Sequence, residues 1–155
     1  MKNLSKNLLL VLFISLVLPA TSFAQDADSG KRLLQEVRSR IKTVDTKTLK
    51  KMIDNKEDFV LLDVRPRADV ESMGAIDAPQ QVNIERSWLE SRTPDLIELV
   101  KNNPDKPIIT YCGVGELSAY SADTLQRLGF KNVYSYDAGY LEWESKGYKV
   151  KYDKK

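Results

Sequence analysis

The apolar positions of the chain fall into three regimes. Residues 8–18 are continuously apolar except for Ser15, and they follow Lys2 and Lys6. From Leu33 to Ile41 the apolar residues Leu33, Leu34, Val37 and Ile41 recur at helical spacing among Arg32, Glu36, Arg38 and Arg40, which predicts a short amphipathic helix. Leu49, Met52 and Ile53 predict a second helix, with Asp45 or Thr46 as its cap. Beyond it the pattern changes to short apolar runs at 59–64, 107–111 and 132–136. Runs with so little polar alternation belong to strands covered on both faces, as in a parallel sheet.

Between the last two runs lies 116–128, where Leu117, Tyr120 or Ser121, Thr124, Leu125 and Leu128 share one helical face and Gly129 stands as a stop. Strand, helix, strand implies a right-handed crossover between parallel strands, so the fold class is α/β. Val82 to Ile84 add a short strand, and 88–99 a helix or irregular connection containing Pro94. Residues 25–30 read as a polar, frayed segment and 149–155 as a solvated, lysine-rich tail.

The first regime is not part of this fold. A basic start, a short apolar core and Ser22-Phe23-Ala24 form the pattern of a secretory signal peptide, residues 1–24, cleaved after Ala24. The alternative, an uncleaved anchor, needs about 20 apolar residues, more than this core supplies. The expected mature chain has no membrane anchor and is periplasmic. It retains about 130 residues, enough for one domain. At 42% hydrophobic and 30% charged residues, it has the composition of a globular domain. The net charge of +2 is that of Lys2 and Lys6, so the mature chain is balanced and nucleic acid is not an expected partner.

Two counts narrow the chemistry. The chain has no histidine, which excludes Ser-His-Asp and Cys-His mechanisms and removes the commonest transition-metal ligand. It has one cysteine, Cys112, so no internal disulfide forms. A lone thiol is either a small buried hydrophobe or a group kept for its reactivity. Position favours the second reading. Cys112 ends the 107–111 strand and opens Cys112-Gly113-Val114-Gly115-Glu116-Leu117-Ser118, a loop running into a helix, at the sheet edge where α/β proteins bind ligands. The glycines allow amides to converge, and the helix start adds positive potential, which together favour a thiolate.

Taken together, Leu61-Leu62-Asp63-Val64-Arg65, the Cys112 loop, Gly129-Phe130-Lys131-Asn132-Val133-Tyr134 and Ala138-Gly139-Tyr140-Leu141-Glu142-Trp143 resemble the successive motifs of a single rhodanese-like domain, covering 44–150. The resemblance implies a small central parallel sheet flanked by helices on both faces. Residues 25–43 would precede that domain as a polar segment and helix, and 151–155 would follow it as a basic tail.

The resemblance also implies an activity: a sulfurtransferase or sulfur carrier in which Cys112 accepts a sulfane sulfur as a persulfide and passes it to a thiol or other nucleophile. No metal or organic cofactor is expected. Gly113, Val114, Gly115, Glu116 and Leu117 match the loop whose amides surround the sulfur, and Ser118 matches the hydroxyl that begins the helix. Asp63 and Arg65 match a first-strand pair that either braces loops or meets substrate. Arg86 resembles an arginine near the pocket, and Trp143 packs the closing helix. In many active members the sixth loop residue is Arg or Lys, which holds the sulfonate of thiosulfate. Leu117 cannot do this, and Glu116 repels a dianion, so the loop weighs against thiosulfate as donor. The segment 70–75 also lacks the histidine often found there.

Related phosphatases and arsenate reductases use a longer loop with an oxyanion-gripping arginine, which Cys112 to Leu117 does not contain. The alternative of a different class is a catalytically weak binding module of the same fold, recognising a protein or small thiol ligand around Leu117, Tyr120 and Tyr140.

Overall fold

The three apolar runs become the three inner strands of one parallel sheet. A computed structural model describes residues 28–103 and 105–152. The expected signal peptide, residues 25–27 and the last three residues of the expected tail lie outside them. In chain order the elements are α1 (Ser29–Arg40), β1 (Lys42–Val44), α2 (Thr46–Asp54), β2 (Val60–Asp63), α3 (Arg67–Met73), β3 (Ala75–Ile76), β4 (Gln81–Asn83), a 3-10 turn (Arg86–Trp88), α4 (Thr93–Leu99), β5 (Ile108–Tyr111), α5 (Glu116–Arg127), β6 (Val133–Tyr136), α6 (Gly139–Ser145) and β7 (Val150–Lys151).

The sheet order is β1-β6-β5-β2-β4, and all four pairings are parallel. Successive residues of an inner strand enter opposite cores, because side chains alternate across a sheet. Val60, Leu62, Ile108 and Val133 pack with Leu89, Leu96 and the α5 residues Ala122 and Leu125. Leu61, Ile109 and Tyr136 pack on the other face with Leu49 of α2 and with Tyr140 and Trp143 of α6. The α/β fold with helices on both faces is therefore as the sequence predicts. Trp143 is buried and donates from Nε1 to the Lys149 carbonyl at 3.0 Å, so it packs the closing helix as expected.

Several local expectations change. The α5 face that enters the core is Ser118, Ala119, Ser121, Ala122 and Leu125, with Asp123 also buried, whereas Leu117 and Leu128 stay 42% and 40% exposed. Ser121 and Leu125 of the expected face are buried, but the rest of the inward face is made of small residues, because α5 lies close against β5 and β6. Helix α1 begins at Ser29, inside the segment expected to fray, and packs on α5. Within the expected tail, Val150–Lys151 instead pairs antiparallel with β3, so its backbone groups are satisfied by Ala75 and Ile76. Pro94 sits in the first turn of α4, where its missing N–H leaves no helical bond unmade. Helix α3 escapes periodicity because only Val70 of its seven residues is buried. Among the described residues no helix is long and apolar enough to cross a membrane.

Candidate functional site

Parallel strands bring all their carboxyl ends to one edge. Asp63 is level with Tyr111, Tyr111 with Tyr136, and Tyr136 with Val44. The segments that leave this edge carry Arg65, Cys112 and Asp137, which are far apart in the chain.

Cys112 is 2% exposed and sits at the base of a loop closed from both sides. The Gly115 amide donates to Cys112 Sγ at 3.2 Å. Gly115 has φ +91°, and a Cβ there would stand 1.9 Å from the Asp137 carbonyl oxygen, so both the bond to sulfur and the fit against the β6 end require glycine. Gly113 has no such restraint; a Cβ on it would meet nothing within 4 Å. The amides of Glu116, Leu117 and Ser118 form the first turn of α5 and have no intrahelical acceptor by position. The start of α6 takes the loop's carbonyls: Tyr140 N donates to the Cys112 carbonyl at 2.7 Å and Leu141 N to that of Gly113 at 3.1 Å. The carbonyls of Cys112 and Gly113 are thereby taken up by α6, while the Gly115 amide points at the sulfur, an arrangement suited to a negative sulfur atom.

Ser118 is fully buried. Its Oγ lies 3.9 Å from Cys112 Sγ, 2.9 Å from the Gly115 carbonyl and 3.0 Å from Ser135 Oγ. Ser135 in turn donates to Asp137 Oδ1 at 2.6 Å, and Asp137 Oδ2 pairs with Arg38 Nε of α1 at 3.2 Å. Ser135, Asp137 and Arg38 are not singled out by sequence reasoning. Asp137 stands next to the quoted Ala138-Gly139 motif, and that adjacency is the only signal that could have found it.

Asp63 and Arg65 form a buried pair with multiple contacts, Arg65 Nη2 to Asp63 Oδ2 at 2.6 Å and Nε to both carboxylate oxygens at 3.0 and 3.1 Å. Arg65 Nη2 also donates to the Gly74 carbonyl at 2.7 Å, and its guanidinium lies 3.9 Å from the Tyr140 ring centre. Burial pulls the guanidinium pKa down, but the Asp63 hydrogen bonds prevail and hold it above its ordinary value. This geometry braces the β2 end to the α3 end, the bracing alternative of the two open for these residues. Tyr140 donates its hydroxyl to the Met73 carbonyl and is fully buried, so it is not available as part of a recognition surface.

Arg86 does not reach the sulfur loop's interior. It pairs with Glu90 at 2.9 Å and donates to Thr124 Oγ1 at 3.1 Å, lining a groove of about 600 Å³ that it shares with Leu33, Leu117 and Tyr120. Val114 (57% exposed) and Leu117 form an apolar rim beside Glu116. Among the described residues no cluster of carboxylates and thiols is arranged to hold a metal ion.

Residues 45–146 match the rhodanese-like domain family. No curated protein matches the chain, but solved structures do. A Rhodopseudomonas palustris protein described as a possible tyrosine phosphatase is 27% identical with a TM-score of 0.68, over 79% of this chain and 93% of that one. The polysulfide-sulfur transferase homodimer of Wolinella succinogenes is 25% identical with a TM-score of 0.65, over 78% and 85%. Thiosulfate sulfurtransferase of Pseudomonas aeruginosa, 18% identical with a TM-score of 0.67 over 81% of this chain and 23% of that one, shares the fold. With the family match spanning most of the chain and the cysteine loop at the sheet's carboxyl edge, the chain belongs to the rhodanese-like domain family.

Proposed function

We propose that this protein is an exported sulfurtransferase or sulfur carrier that works through a persulfide on Cys112. The observation that carries this reading is the Gly115 amide directed at Cys112 Sγ in a loop whose next three amides have no helical acceptor. The Cys112 thiolate attacks the outer sulfur of a donor R–S–SH. A new S–S bond forms at Cys112, the donor's S–S bond breaks, and R–S⁻ leaves. An acceptor thiolate then attacks the outer sulfur of the persulfide and the Cys112 thiolate departs. Neither step requires a metal or organic cofactor.

The rim supports a class of donor. Val114 and Leu117 are apolar and Glu116 is anionic, so a dianionic sulfonate gains no cation here. With Cys112 only 2% exposed, a slender polysulfide or organic persulfide is favoured over a bulkier donor. The similarity to a polysulfide-sulfur transferase points the same way. The similarity to a possible tyrosine phosphatase does not, because phosphoryl transfer without an arginine or metal lacks its main electrostatic stabiliser.

Intact-mass measurement tests the reading. Mature protein incubated with polysulfide, an organic persulfide and thiosulfate is expected to gain one sulfur from the first two, and Cys112→Ser none. No gain from any donor in folded protein would refute sulfur transfer and favour the binding-module alternative. Export is tested by N-terminal sequencing of the secreted fraction, which is expected to begin at Gln25; an intact Met1 in membranes would refute it.

A further inference from the structure

Helix α1 (Ser29–Arg40) lies ahead of the matched domain, which begins at residue 45. Its contacts nonetheless lead to the sulfur loop. Val37 is buried, and α1 packs on α5. At about 100° per residue, Arg38 projects to one side of Val37 and Arg40, three residues on, to the other. Arg40 takes Asp123 of α5 through Nε at 2.6 Å and Nη2 at 3.1 Å. Arg38 instead reaches Asp137, its Nε standing 3.2 Å from Oδ2.

Asp137 lies in the turn between the end of β6 and the start of α6, outside the strand ladder. Its side chain is tethered at both oxygens, Oδ1 by the Ser135 hydroxyl at 2.6 Å and Oδ2 by Arg38. Its main chain is what closes on the loop. A Cβ on Gly115 would stand 1.9 Å from the Asp137 carbonyl oxygen, 2.6 Å from its carbonyl carbon and 2.8 Å from its Cα. Gly115 is the residue whose amide donates to Cys112 Sγ. Direct contacts therefore run from α1 to the sulfur: Arg38 on Asp137, Asp137 on Gly115, Gly115 on Cys112.

We infer that Arg38 is a positioning residue of the sulfur site, and that α1 keeps the Gly115 amide on Cys112 by holding Asp137. The inference rests on the Cys112 reading above. No proton or electron passes along these contacts; what they transmit is position. With α1 docked, Asp137 cannot back away from Gly115 without breaking its ion pair, so the amide stays within hydrogen-bond distance of a sulfur that carries negative charge in the reaction. With the pair broken, Ser135 is left to restrain the Asp137 side chain, and the amide spends less time on the sulfur. An ion pair whose side chains are 38% and 30% exposed adds little to overall stability. Its loss should therefore show at the loop and not in the melt.

Charge alone makes the opposite prediction for one of the two partners, which separates position from field. Through space, Arg38→Gln removes a positive charge and would slow reaction of the Cys112 thiolate, whereas Asp137→Asn removes a negative charge and would speed it. Positioning requires both to slow it, because each breaks the same pair. The reagent is iodoacetamide at neutral pH, which is uncharged and needs no sulfur chemistry. Alkylation of Cys112 is expected to fall about two- to fivefold in either variant, the span that an exposed pair allows. Because both act through one contact, the double variant should be no slower than the slower single one. Arg38→Lys, which keeps the charge within reach of Asp137, should recover most of the parent rate, and melting temperatures should change little.

A folded Arg38→Gln protein that alkylates at the parent rate, or an Asp137→Asn protein that alkylates faster than the parent, would overturn the inference. If both variants alkylate more slowly while even the parent fails to gain sulfur from a polysulfide, the positioning role stands and sulfur transfer is overturned instead.

Discussion

A side chain on Gly115 has no room because of Asp137: the Asp137 carbonyl oxygen would stand 1.9 Å from a Cβ at that position. The same contact fixes the amide that donates to Cys112 Sγ. The end of β6 thus shapes the sulfur site without touching the sulfur.

Gly115→Ala and Gly113→Ala should therefore separate cleanly. The first combines a backbone clash with a left-handed φ that alone costs on the order of 1 to 3 kcal/mol, and should lower the melting temperature and abolish sulfur loading. Gly113→Ala, facing open space, should melt like the parent. Equal behaviour of the two in thermal melts would show that the close approach is not what glycine serves.

Arg65→Ala should be among the most damaging single changes. It leaves the fully buried Asp63 carboxylate without its partner, a loss of about 3 to 5 kcal/mol. Asp63→Asn combined with Arg65→Met should recover part of that stability, because no charge is then left unpaired. Denaturant titration of the three proteins checks this. A bracing pair predicts that whatever remains folded still loads sulfur at Cys112.

Leu117 is 42% exposed on the rim, and Leu117→Arg should raise turnover with thiosulfate. A charged hydrogen bond to the sulfonate contributes about 1.5 to 3 kcal/mol, tenfold or more in rate if it is expressed in the transition state. Glu116→Gln should act in the same direction by removing repulsion, and a neutral organic persulfide should respond to neither. Rates for both donors in the single and double variants decide this, with Cys112→Ser as blank. Equal changes for both donors would show that rim charge does not select the donor.

Arg40 of α1 reaches Asp123 of α5 at 2.6 and 3.1 Å, and this hydrogen bonding holds the Asp123 carboxyl below its usual range. A carboxyl depressed in the folded state contributes stability above its unfolded pKa and loses that contribution as pH falls through the folded value. Docking of α1 on α5 should therefore loosen in acid. Hydrogen exchange of the α1 amides should accelerate below the ordinary carboxylate range, and Asp123→Asn should show fast exchange already at neutral pH.

The sequence by itself determined the parallel sheet, because runs such as 59–64 and 107–111 have no polar face and can only be buried on both sides. It also located Cys112 at the carboxyl edge of the sheet, because a cysteine at a strand end before Gly-Val-Gly and a helix lies where the strand gives way to the helix. Asp63 and Arg65 were legible as a pair, being two residues apart, though not whether they brace or bind.

Only tertiary structure decided the rest. The face of α5 is set by how closely a helix approaches two strands, so Ala119 and Ala122 enter the core while Leu117 stays on the rim. Val150–Lys151 becomes a strand because β3 offers it partners, which no local pattern records. Ser135 and Asp137 reach the Cys112 loop, at Ser118 and Gly115, because β6 lies beside β5 in register. Side-chain chemistry is written locally, but its convergence on one sulfur depends on strand order, which is a property of the whole fold.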